Sequence, residues 1–145
     1  MYLDAQNMFS KAQAITATAP STNVIDLGVA RDIGGAVTDQ LYLLCEVVTA
    51  FTSGGGTTLQ VQYQGSNDAS SWTTIAQSDA VAMASLAQGY KFLQGPTISP
   101  VSGSPYRYLR LNYVVASGPF TGGAITAAFT PSLQHQPVYA AGYVA

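Results

Sequence analysis

The side chains able to do chemistry are few, and their settings do not suit it. The chain has one histidine, His135, in the proline-flanked stretch LQHQP. Nothing rigid there would hold a base within hydrogen-bond reach of a nucleophile, so a solvated or interface histidine is the plainer reading. The one cysteine, Cys45, falls in the apolar run LLCEVV with no Lys or Arg close in sequence. It reads as a small buried hydrophobe rather than an activated thiolate. Asp26, Asp32 and Asp39 lie around RDIGG, where Asp and Gly are ordinary turn formers, and the alternating oxygen ligands of a calcium loop are missing. The glycine-rich pieces SGGGTT and TGGA lack the Lys-Ser/Thr and the helix of a phosphate loop. No catalytic, cofactor-binding or metal-binding residues are expected, and the chain is not read as an enzyme.

Aromatic residues and arginines are more informative. Trp72 with Tyr63 and Tyr90 could stack on a sugar ring, although strand aromatics more often fill a core. In YRYLRLNYVV, residues 106 to 115, alternation puts Leu109, Leu111, Tyr113 and Val115 on a core face, with Arg107 at its rim. Tyr106, Tyr108, Arg110 and Asn112 then share the outer face. Tyr and Arg bring large contact area with a polar handle, so this stripe has the composition of interface anchors; tyrosines paired across strands on a wet sheet face would look the same.

Short strands must carry these residues. TLQVQYQ at 58 to 64 alternates Leu59, Val61 and Tyr63 against Gln60, Gln62 and Gln64, the pattern of a strand wet on one face. LYLLCEVVTAF at 41 to 51 is apolar on both faces and pairs with it across SGGGT. SWTTIAQ at 71 to 77 follows the turn cluster GSNDASS, and strands at 106 to 115 and 124 to 130 flank ASGPFTGG. Residues 78 to 90 have helical propensity but also alternate, and read as strand or irregular loop. LQGPTISPVSGSP at 93 to 105 is a proline-stiffened loop. With NVIDLG at 23 to 28, about six to eight short strands emerge, which places the fold in the all-β, antiparallel sandwich, jelly-roll or barrel class.

Residues 21 to 130 form that domain. Residues 1 to 20, with a weakly helical piece from Asp4 to Ile15, read as an N-terminal arm carrying Tyr2, Met8 and Phe9 as handles. Residues 131 to 145 read as a C-terminal tail carrying Tyr139 and Tyr143. Apolar arms of this kind are most at ease on a neighbouring subunit.

Only 8% of the 145 residues are charged and the net charge is -2, where about 25% charged is usual. Without a basic cluster, nucleic acid is not an expected partner, and no apolar run is long enough to span a membrane. The first residues, MYLDAQNMFSKAQAI, do not have the pattern of a secretion signal. A surface this poor in Lys, Asp and Glu is easily desolvated against a partner.

MYLDAQ, TATAPSTNVIDLG, ARDIG, TAFTSGGGTTLQVQYQGSNDASSWTTIAQS, LAQGY and RYLRLNYVVASGPFTGGAITA, in this order, resemble the capsid cement (decoration) proteins of tailed bacteriophages, over residues 1 to 130. The resemblance implies a jelly-roll-like β-sandwich on the exterior of an icosahedral head, assembled in the host bacterial cytoplasm. It further implies that the protein bridges major capsid proteins of HK97-like fold and self-associates, a homodimer being favoured over a homotrimer. The alternative from the residues alone is a carbohydrate-binding β-sandwich of a phage fibre or adhesin.

Overall fold

A computed structural model of the chain describes residues 3–31, 33, 41–55, 57–93 and 105–131. The strands are β1 (Met8–Ala14), β2 (Ala19–Pro20), β3 (Ile25–Asp26), β4 (Tyr42–Ser53), β5 (Thr58–Ser66), β6 (Thr73–Gln77), β7 (Val81–Ala82), β8 (Tyr108–Ala116) and β9 (Phe120–Thr130). They form two antiparallel sheets. One has the order β1-β9-β4, the other β2-β8-β5-β6, with β3 also pairing β8 and β7 also pairing β5. The all-β sandwich, one of the classes the strand pattern allows, is the observed fold, but the expected pairing of 41–51 with 58–64 is not: β4 pairs β9 in one sheet and β5 pairs β8 in the other, so SGGGT links the two sheets.

The period of two places the core where the sequence suggests. Leu59, Val61 and Tyr63 of β5, with Leu109, Leu111 and Tyr113 of β8, are almost fully buried against Leu43, Cys45 and Val47 of β4 and Ile125, Ala127 and Phe129 of β9. Phe9, Tyr63 and Phe129 meet edge to face at one end, with the Phe9 and Phe129 ring centroids 4.9 Å apart. Phe51 and Phe120 do the same at 4.7 Å. Such pairs add about 0.5–1.5 kcal/mol beyond the area they bury. Leu44 and Ala128, on the other face of their sheet, are also buried, in keeping with the two-sided apolar character of β4.

Two crossing segments lace the sheets together. Ser21 donates its amide to the Leu111 carbonyl (2.8 Å) and Asn23 to that of Phe9 (2.9 Å), so residues 21–23 run from β8 to β1. On the opposite side, Met83 donates to the Thr57 carbonyl, Phe51 to that of Leu86, Val47 to that of Tyr90 and Phe92 to that of Cys45. Residues 78 to 90, read as strand or loop, resolve into β7, a single 3₁₀ turn at Met83–Ser85 and this crossing segment.

The N-terminal segment departs from expectation. Instead of a weak helix from Asp4 to Ile15, one 3₁₀ turn at Ala5–Asn7, capped by the Asp4 carboxylate, leads straight into β1. Helical propensity is worth tenths of a kcal/mol per residue, whereas pairing with β9 satisfies the backbone and puts Phe9 in the core. Phe9 is therefore a fully buried core residue and not a handle for a partner. Residues 8–14 and 19–20 belong to the two sheets rather than to a free arm. Tyr2, the tail with Tyr139, Tyr143 and His135, Asp32, Asp39 and most of the proline-rich loop lie outside the described residues.

Candidate functional site

The β5–β8 pairing runs from Thr58↔Ala116 to Ser66↔Tyr108 without a register shift, while β4 and β9 break register three times. This regular ladder makes a stiff platform. Its outward side chains are Gln60, Gln62 and Gln64 on β5 and Tyr108, Arg110, Asn112 and Val114 on β8, all half-buried except Gln64, which is 8% exposed.

Register sets Gln64 opposite Arg110 and Gln62 opposite Asn112. Arg110 Nε–H donates to Gln64 Oε1 at 2.9 Å. A guanidinium only donates, so this bond fixes which end of the Gln64 amide faces it. Gln64 Nε2 must then donate outward, to Gln62 Oε1 at 3.2 Å and more weakly to Thr74 Oγ1 at 3.4 Å. Gln62 Oε1 also accepts from Asn112 Nδ2 at 3.1 Å, and Gln62 Nε2 leans toward Gln77 Oε1 at 3.5 Å. The donations run away from Arg110 across three strands, an ordering that rigidifies each amide.

Trp72 completes the arrangement. Its place is set by the turn GSNDASS, where Asp68 Oδ1 accepts from the amides of Ser70 (2.8 Å) and Ser71 (2.7 Å) and from the Ser66 hydroxyl (2.8 Å). The backbone donors of Ser71 and Ser70, then the Ser66 hydroxyl, hold the Asp68 carboxyl far below the usual range. The chain leaves this turn directly into Trp72, and the Arg110 guanidinium carbon sits 4.0 Å from the indole ring centre. Stacking on the ring takes one face of the cation, and burial lowers the Arg110 pKa.

Arg107 has a different setting. It pairs bidentately with Asp26, Nε to Oδ1 at 2.8 Å and Nη2 to Oδ2 at 2.9 Å, while its guanidinium lies over Tyr108, 4.8 Å from the ring centre. Asp26 is held at a pKa of about 2, first by Arg107 and next by the Gly28 amide. Arg107 reaches water, as expected, but it does so against outward-facing residues of β3 and β8.

Tyr106 requires a correction. The expected outer stripe includes it, yet its ring packs on the core side. A Cβ on Gly65 would run into that ring and touch Ile75 at 3.0 Å, so the bare glycine is what admits Tyr106. Alternation constrains only paired residues, and Tyr106 precedes the β8 ladder, which begins at Tyr108. Tyr108, Arg110 and Asn112 remain together on the outer face. Met8 is half-buried at the start of β1, on the other sheet.

The three aromatic residues considered for sugar stacking do not share a face. Tyr63 is in the core, Tyr90 packs edge to face on Phe92 at 5.0 Å, and Trp72 carries Arg110. Cys45 is free and fully buried, with its thiol pushed far above the ordinary range by desolvation. Among the described residues, no group of His, Cys, Asp and Glu is placed to hold a metal ion, and no helix is long and apolar enough to cross a membrane.

Sequence reasoning singles out Arg110 but misses Gln64, and it weighs Trp72 only for sugar. The Gln60, Gln62, Gln64 alternation was the available signal; their partners follow only from register. No curated protein matches the chain. A family model described as Bbp16 matches residues 9–129, which span every strand from Phe9 of β1 to Phe129 of β9. With so much of its length and all of the platform inside that match, the chain belongs to the Bbp16 family.

Proposed function

We propose that this protein is a non-enzymatic virion component that binds the exterior of an icosahedral phage head and cements adjacent major capsid proteins, stabilising the expanded shell. The observation that carries the reading is the outer face of β6, β5 and β8. It is a stiff, charge-poor ladder of interlocked amides with Arg110 held on Trp72. Such a face loses little on desolvation where its amides already bond one another, and Trp, Tyr and Arg are the residues most enriched among interface hot spots. The family name, which suggests a phage-related protein, supports the reading, as does the resemblance of the ordered motifs to cement proteins.

A protein that binds a seam only in the expanded shell stabilises that state by its binding free energy, and repetition over many seams multiplies a modest contact. Packaged DNA loads those seams from inside. The test is to strip purified heads of this chain, add it back, and follow their heat resistance. Restored resistance with stoichiometric rebinding is expected; virions lacking the chain, or stripped heads as heat-resistant as complete ones, would refute the reading.

A further inference from the structure

Arg110 is the only cation among the described residues that is shown stacked on a tryptophan, and it has no acidic partner there. Arg107, by contrast, is ion-paired with Asp26. A guanidinium has five N–H donors. Trp72 covers one face of the group and Gln64 takes the Nε–H, so the remaining in-plane donors lie on Nη1 and Nη2. Those two nitrogens make the end-on fork, whose parallel N–H bonds match the two oxygens of a carboxylate. Trp72 and Gln64 hold the group from two directions, so little side-chain entropy remains to be lost when a ligand arrives.

We propose that the Trp72–Arg110–Gln64 cluster is a preorganised receptor for one carboxylate, supplied by an Asp or Glu side chain on the protein that docks against the β6–β5–β8 face. The charge argument is local. The guanidinium is partly withdrawn from water and no acid among the described residues compensates it, whereas Arg107, on the same face, already has Asp26. A protein side chain fits better than a free acid because the surroundings are an amide-covered sheet face, which rewards a partner that also covers Gln62, Gln77 and Asn112. This inference rests on the reading of that face as the docking surface, and deepens it by naming the group it receives.

The probe is a blocked glutamate, N-acetyl-glutamate N-methylamide, titrated into the ¹⁵N-labelled full chain at constant ionic strength. The Arg110 Nε–H signal and the indole N–H signal of the single tryptophan are followed. Blocked glutamine is the neutral control, Arg107 Nε–H the internal one, and glucuronate tests an acidic sugar. Blocked glutamate should bind about tenfold or more tightly than blocked glutamine, as expected for a charge-assisted bidentate pair, with little response at Arg107. Arg110→Lys, which keeps the charge and loses the fork, should remove that preference.

Equal binding of glutamate and glutamine on the wild-type chain overturns the proposal and needs no variant to fold. Tighter binding of glucuronate, or a preference that survives Arg110→Lys, also overturns it. Head rebinding separates this inference from the cement reading. Heads that take up wild-type and Arg110→Lys chains equally sink the carboxylate receptor alone. Heads that take up neither, while the glutamate preference holds, sink the cement reading alone.

Discussion

Arg110 and Gln64 form a pair whose removal should be strongly asymmetric. In Arg110→Met, Gln64 Oε1 loses its 2.9 Å donor while the residue stays 8% exposed, so a nearly buried acceptor is stranded. That costs about 1–3 kcal/mol. Loss of the cation over Trp72 adds about 0.5–1 kcal/mol, which thioether packing on the indole largely offsets. In Gln64→Met the guanidinium loses one acceptor at a half-exposed site where water can replace it, and the other lost bonds are long, at 3.2 and 3.4 Å. The cost there should stay below about 1 kcal/mol. The double variant has no stranded amide, so it should be no less stable than Arg110→Met alone, with a coupling energy of about 1–2 kcal/mol.

Urea unfolding followed by the fluorescence of the single Trp72 reads this directly. A 2 kcal/mol loss moves the midpoint by about 1 M at the m-values of small proteins. If the two single effects add to within about 0.5 kcal/mol, the amide network transmits nothing and the account of the platform fails.

Acid should destabilise the fold through Asp26 and Asp68, whose carboxyls are both depressed on folding. Their contribution is complete above the unfolded-state value near 4 and is lost as pH falls toward 2; thermal midpoints should fall across that window, and Asp26→Asn with Asp68→Asn should flatten the decline. An unchanged slope in the double variant would assign acid sensitivity elsewhere. Gly123, at φ +134° in β9, lies so close to Phe51 that an added Cβ would overlap its ring. Gly123→Ala should cost more than about 1 kcal/mol through backbone strain and displaced packing, and a melting temperature equal to wild type would contradict this. Cys45 should react with a thiol reagent only as fast as the chain unfolds, because its thiolate is disfavoured by complete burial. Rapid labelling of the native protein would refute that.

Much of the sandwich is legible before any coordinates. Leu59, Val61 and Tyr63 alternate with glutamines, and Leu109, Leu111 and Tyr113 with Tyr108, Arg110 and Asn112, and each set lies on the face its parity assigns. Legibility fails where a neighbour distant in sequence decides. Lys11 and the alanines of β1 favour a helix in isolation, but the edge of β9 and the space for Phe9 in the core outweigh that preference. Tyr106 breaks its parity because it stands outside the ladder and Gly65 leaves room beneath it.

The candidate site divides along the same line. That Arg110 faces away from the core follows from the sequence alone, because side-chain direction in a strand is a local property with a period of two. That it meets Gln64, 46 residues away, and lies on Trp72 depends on the β5–β8 register and on the turn around Asp68. Register is a pairing between distant segments, chosen by how both sheets bury their inner faces together, so only the folded chain could turn an outward arginine into a held and oriented one.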